Sequence, residues 1–177
     1  AAFAASNALA GGIAYVTNGN DSGPGSLRDA LEVQQASIVD ISRKVKVIEI
    51  ASTLTYAGQE SLYIEGSGQT ITTAQNVTLL AVTEGADLKL KNLDFVGPGG
   101  FSITNRGDIG QSAGKGIFVD VREDQTGSVT LHLDNVSVSG VANHGIHVSD
   151  CSLADACGAG AGGGGEGSPA GIVVIAD

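Results

Sequence analysis

Methionine and tryptophan are absent from this chain of 177 residues, aromatic residues make up 4% of it, and there are only 3 prolines. Without many rings, the 42% hydrophobic content rests on Ala, Val, Ile and Leu. That composition suits a narrow core of stacked small and β-branched side chains. Long stretches of 3.6-residue periodicity are missing and glycine is abundant, at 27 residues, which together argue against a helical bundle. Cations are also scarce: 9 Lys and Arg face 19 Asp and Glu, for a net charge of −10. Phosphate backbones repel such a chain, so no nucleic-acid partner is expected. The same acidity would keep a flat-sided molecule soluble and could gather divalent cations or basic partners.

With no Met, the chain is not expected to start at its initiator. Its Ala1-Ala-Phe-Ala-Ala-Ser6 opening looks like sequence near a small-residue signal-peptidase site and is too weakly apolar to span a bilayer. We therefore expect an extracellular or cell-surface location and no membrane span. Cys151 and Cys157 are the only cysteines. An even count in an exported chain favours a local disulfide, which would pin the base of a Gly-rich excursion more than it would stabilise the whole.

The most informative segment is Tyr15-Val-Thr-Asn-Gly-Asn-Asp-Ser-Gly-Pro-Gly-Ser-Leu-Arg-Asp-Ala-Leu31. Tyr15 to Thr17 favours a strand. Asn20 to Gly25 is a dense run of turn residues. Ser26 with Asp29 makes a capping pattern, and Leu27, Ala30, Leu31 and Gln34 follow at helical spacing. This stretch resembles the opening motif of right-handed parallel β-helix proteins, the superfamily of pectate-lyase-like enzymes and surface β-solenoids. There, a strand, such a turn and a capping helix close the open end of the solenoid. The resemblance implies architecture and not activity, since lyases, adhesins and other solenoids share the opening.

Downstream, short β-rich runs alternate with Gly, Asn and Asp turns. They are Val45–Ile50, Ser61–Glu65, Val77–Val82, Asp87–Leu90, Leu93–Val96, Gly116–Val121, Val129–Leu133, Val136–Val138, Gly145–Val148 and Gly171–Ile175. Asp87–Gly97 aligns without a gap on Thr130–Gly140, 43 residues later. In both copies an Asn, at 92 or 135, interrupts the period-2 alternation. A left-handed backbone there would turn the chain inward again. Gly-Ile-x-Val recurs at Gly116, Gly145 and Gly171, at offsets of 29 and 26. With roughly 20 to 25 residues per coil, the 43-residue offset reads as two coils and the others as single coils with insertions. The expected core is Ile48, Ile50, Leu62, Ile64, Leu79, Leu88, Leu90, Leu93, Phe95, Ile117, Val119, Leu131, Leu133, Val136, Val138, Ile146, Val148, Ile172 and Val174.

These observations predict an all-β fold, a right-handed parallel β-helix (β-solenoid) with a short N-terminal capping α-helix. Residues 1–14 would be an N-terminal processed or extension segment and 15–177 one β-helix domain. The capping helix would lie near 26–35 and a Gly-rich loop at 151–170. Five or six coils at ~4.8 Å spacing would stand about 25 Å tall. The final run, Gly171–Asp177, would leave an apolar coil bare, so either more coils follow or another subunit stacks there; self-association through that coil is expected, propagating head to tail into fibres unless its rotation closes a ring.

For chemistry, the resemblance to pectate-lyase-like enzymes would require a carboxylate cluster for Ca²⁺ and a cation that takes a proton beside a uronate. Asp87, Asp94, Asp120, Glu123 and Asp124, with Arg106, Lys115 or Arg122, are the residues available. The histidine strand motif and the arginine motif of those enzymes are missing. Asp120 and Asp150 each follow a Gly-Ile-x-Val segment and could project together, as a Ca²⁺ or acid/base pair. His144 and His147 are three apart, which on a strand sets them on opposite faces, so a solvated strand edge is expected rather than a metal patch. No catalytic or metal-ligating residue is assigned. No cofactor is expected, Ca²⁺ standing only as the alternative of a Ca²⁺-stabilised binding module, and polysaccharide is the one ligand class the resemblance brings. The expected function is that of a non-catalytic structural or adhesin-like solenoid. The alternative is the N-terminal part of a secreted polysaccharide lyase or glycoside hydrolase.

Overall fold

The chain alternates between two parallel β-sheets. Its computed structural model describes residues 11–99, 114–120, 128–149 and 171–176, without the side chains of Asp120, Ser128, Ser149 and 171–176. The strands are β1 (Ile13–Val16), β2 (Ile38–Ile41), β3 (Val47–Glu49), β4 (Leu54–Tyr56), β5 (Leu62–Thr72), β6 (Leu80–Val82), β7 (Leu88–Val96), β8 (Ile117–Asp120), β9 (Ser128–Ser139), β10 (Ile146–Ser149) and β11 (Gly171–Ala176). One sheet runs β1-β2-β5-β7-β9-β11, with β3 alongside the second half of β5; the other runs β4-β6-β8-β10. From β4 onward the chain visits the two sheets in strict turn. The sheets share no strand and do not join into one closed wall.

Every described pairing is parallel, and the register keeps like above like. Leu62, Leu88 and Leu131 lie in one row, Ile64, Leu90 and Leu133 in the next, and Ile71, Phe95 and Val138 in a third. Their inward side chains form one apolar column: Leu62, Ile64, Leu90, Phe95 and Leu131 are completely buried. The expected core residues from Ile48 to Leu133 are all buried. Val136, Val138 and Val148 pack against the column while partly exposed, and Ile146 remains 39% exposed. The side chains of Ile172 and Val174 lie outside those described.

The register corrects the coil count. Leu88 pairs directly with Leu131, so 43 residues are one step up the sheet and not two. Ile13 to Ile38 takes 25 residues, and Leu62 to Leu88 takes 26. The longer step contains residues outside those described. A second correction concerns the Gly-Ile-x-Val copies. Those at Gly116 and Gly145 precede or open neighbouring strands β8 and β10, with Ile117 opposite Ile146. The copy at Gly171 pairs with β9 in the other sheet, so the short motif alone did not identify position in the stack.

Each long strand of the larger sheet bends in its middle, and the bend is shorter in β7 and β9 than in β5. Residues between Glu65 and Gln69 of β5 face a single residue, Asn92, in β7. In β9 the same place is held by Asn135 alone. Both asparagines have positive φ, 53° and 52°, and Asn135 Nδ2 donates to Asn92 Oδ1 at 2.9 Å. Asparagine tolerates this left-handed backbone because its amide can bond locally, while a β-branched residue there is strained. Asn135→Val is expected to lower stability by about 1–3 kcal/mol through backbone strain. Asn135→Gly should lose less, keeping the bend but not the amide contact. Urea titrations of the two variants giving equal losses would contradict this account.

The opening motif forms a turn and a cap, but the helix is not the ten-residue α-helix expected. Only Leu27–Val33 is helical, and Asp29–Val33 is a π-helical turn. Ser26 caps it as read, its Oγ accepting from the Asp29 N–H at 3.1 Å. The reciprocal bond is not made: Ser26 N–H donates to the Gly23 carbonyl, and the Asp29 carboxylate accepts from Gln34 Nε2 at 2.7 Å. Gln34 N–H reaches the Asp29 carbonyl, a five-residue span, and Gln35 then turns left-handed at φ 49°. The widened last turn lets the chain reverse immediately into β2. Leu27, Ala30 and Leu31 face the core, and the turn packs on β1 and β4, the strands at one end of each sheet.

Candidate functional site, the outer face of the smaller sheet

In β8, alternation sends Ile117 and Val119 into the column and Phe118 to the opposite face. Across the ladder Phe118 stands beside His147 of β10. Phe118 is 1% exposed, and its ring meets the His147 imidazole edge-on with centroids 5.5 Å apart. Lys115 lies just before β8 and places its ammonium 5.5 Å from the Phe118 ring centroid. The His144 ring lies 4.8 Å from that of His147.

Backbone contacts fix this cluster. Gly116 N–H donates to the His144 carbonyl at 3.0 Å, Ile117 N–H to the Gly145 carbonyl at 2.9 Å, and Asn143 N–H to the Gly114 carbonyl at 3.0 Å. On its other side, Lys115 N–H donates to Thr78 Oγ1 and its carbonyl accepts from Leu79 N–H. The approach at Gly116 requires glycine, because a Cβ there would collide with Val138 Cγ1 and the Gly145 carbonyl oxygen.

The electrostatics are unusual for so acidic a chain. Lys115 is only 6% exposed, and burial lowers its pKa. His147 is lowered to about 4, first by burial and then by the positive charges of His144 and Lys115. Its Nδ1 atom and Asn143 Oδ1 are buried without a hydrogen-bond partner. Neither Lys115 nor His147 forms an ion pair with a carboxylate among the described residues. At neutral pH the imidazole of His147 is therefore uncharged, beside a desolvated ammonium on an aromatic floor.

This arrangement corrects the expectation that His144 and His147 lie on opposite faces of a solvated strand. Strand alternation applies only within β10, which begins at Ile146; the turn before it brings His144 back beside His147. His147 is desolvated rather than solvated. The clue was present in the Gly-Ile-x-Val repeat, whose variable position is Phe118 in one copy and His147 in the next. Lys115 had entered only as one of several cations for a lyase-like reaction.

Because the folded-state pKa of His147 lies below its ordinary value of 6.5, the unfolded chain takes up this proton first on acidification. Stability is undiminished by His147 above pH 6.5 and falls as the pH drops from 6.5 toward 4. His147→Phe should flatten the melting-temperature profile across that window. Parallel slopes for the two proteins would contradict the desolvated placement.

Of the acidic candidates, the two with described side chains, Asp87 and Asp94, do not converge. Asp87 Oδ1 accepts from Thr130 N–H at 2.6 Å, and Asp94 Oδ1 accepts from Ser137 Oγ, each tying β7 or its approach to β9. Asp120 stands opposite Ser149 in the ladder rather than Asp150. Glu123, Asp124, Arg106, Arg122, Asp150, Cys151 and Cys157 lie outside the described residues, as does the proposed disulfide. Among the described residues no three His, Cys, Asp or Glu side chains come together as a metal-binding group. No helix among them is long and apolar enough to cross a membrane.

Comparison of the chain with protein-family models, with curated proteins and with solved structures gives no match in any of the three.

Proposed function

We propose that this chain is a right-handed parallel β-helix acting as a non-catalytic, adhesin-like structural protein at the cell surface or outside the cell. The coil is supported by the strict alternation of the chain between two parallel sheets in constant register. Its hand follows from the strong right-handed preference of crossovers between parallel strands.

The structural role rests on one observation. Polar side chains on the outer face of the larger sheet bond to the level above or below. Lys91 Nζ lies between Glu65 Oε1 at 3.8 Å and Asp134 Oδ2 at 3.9 Å, spanning three successive strands. Lys89 sits over the Tyr63 ring one level away, and Asn135 and Ser137 bond to Asn92 and Asp94. Each exposed contact contributes little alone, but together they favour correct stacking over a shifted register. The pair of cysteines favours an oxidising compartment.

Assembly belongs to the same reading: β11 is paired on one side only among the described residues, and an edge of parallel strands can receive a strand from a second copy. The decisive experiment offers polyuronates to the purified full chain and measures unsaturated and reducing ends. No release above the heat-denatured control is expected. Enzymatic release would overturn the structural role and favour a polysaccharide lyase or hydrolase. Sedimentation over a concentration series should show a rising apparent mass, and a constant monomer would remove the assembly part.

A further inference from the structure

We propose that the cluster around Lys115 and His147 is a binding site for a single oxyanion, a carboxylate or a phosphate, seated against the Phe118 ring. The chain carries 19 Asp and Glu against 9 Lys and Arg, so a random group of side chains is far more often acidic than basic. Among the described residues the composition here is inverted. Lys115 and His147 share one aromatic wall, with His144 4.8 Å away, and no acidic side chain pairs with either of the first two among the described residues.

Lys115 is the strongest evidence. A lysine 94% removed from solvent, with no ion-pair partner among the described residues, is costly to keep charged. An incoming oxyanion removes that cost and forms a charge-assisted bond with the ammonium. His147 adds a second donor: its Nδ1 is buried and unpartnered, and with the proton on that nitrogen it donates to the same ligand. The Phe118 ring excludes water from one side and strengthens both interactions. A divalent cation fits less well, because the Lys115 charge opposes it and no third His, Cys, Asp or Glu ligand completes a metal-binding group among the described residues.

The test is an NMR titration of the full chain at pH 6, following the His147 ring nitrogens and the Lys115 amine. Sodium acetate and inorganic phosphate are added in separate series, each against sodium chloride at matched ionic strength. Saturable shifts of both groups are expected with at least one probe. They should be accompanied by a rise in the His147 pKa of about one unit, a roughly tenfold coupling between proton and anion. Saturation with acetate alone assigns a carboxylate ligand, and with phosphate alone a phosphate ligand. Lys115→Met should abolish saturation while the β circular-dichroism spectrum persists. If that variant does not fold, the Lys115 amine shift in the parent protein decides. Linear shifts matching chloride for both probes, or saturation that survives Lys115→Met, would overturn the proposal.

Discussion

Leu90→Asp is expected to abolish folding of this chain. Leu90 is fully buried and stands between Ile64 on one strand and Leu133 on the next, so its side chain touches three levels of the column. Losing the leucine forfeits roughly 2–3 kcal/mol of burial. Placing a carboxylate there adds several more, whether it stays charged or takes up a proton. The sum rivals the whole stability of an ordinary domain, about 5–15 kcal/mol. Leu133→Asp should be milder, since Leu133 retains 6% exposure. Leu90→Met, which conserves volume, should lose less than about 1.5 kcal/mol. Circular dichroism and thermal melts separate these outcomes. A cooperative β transition from Leu90→Asp, with a midpoint near the parent's, would contradict the stacked column.

Arg28→Met is the second large loss. The guanidinium donates from Nε to the Asp21 carbonyl, from Nη1 to Glu32 Oε1 and the Thr53 carbonyl, and from Nη2 to Asp21 Oδ1 and the Ser52 carbonyl. These five bonds match the five N–H donors an arginine possesses. The Arg28 side chain is only 13% exposed, while Glu32 and Ser52 are exposed, so water can take over part of what it leaves behind. We expect a loss of about 1–3 kcal/mol, as for hydrogen bonds to a charged group whose partners are partly exposed. Arg28→Lys should recover only part of it, because an ammonium cannot reproduce the planar fork. The hydrogen bond from Arg28 holds the Asp21 pKa below 3.8. Asp21 therefore contributes stability above that pH, which is lost as the pH falls through its folded value. In Arg28→Met the Asp21 pKa should return toward 3.8, as a carboxyl carbon titration would show. Unchanged urea stability in this variant would contradict the network.

The same residues show how much the sequence disclosed. Asn20 to Gly25 and Ser26 were legible as turn and cap because their roles are local. Asp21 and Arg28 sit in the same motif, yet their partners include Ala51, Ser52 and Thr53. No local pattern announces a contact across that separation. The apolar rows of β7 and β9 were legible because the gapless alignment carried alternation and the Asn break together. What failed was the step between them, because a coil with a long insertion and two short coils have similar length. β2 (Ile38–Ile41) and β4 (Leu54–Tyr56) went unread. In the candidate site, the Phe118 and His147 positions were legible from the repeat. The return of His144 was not, because it depends on the turn before β10.

Parallel stacking with 43 residues to a level is tested most directly by nuclear Overhauser contacts between β7 and β9 in the full chain. The account predicts backbone contacts for Leu88 with Leu131, Leu90 with Leu133, and Leu93 with Val136, all in one parallel register. Contacts from both strands to a third segment lying between them, with none to each other, would contradict it.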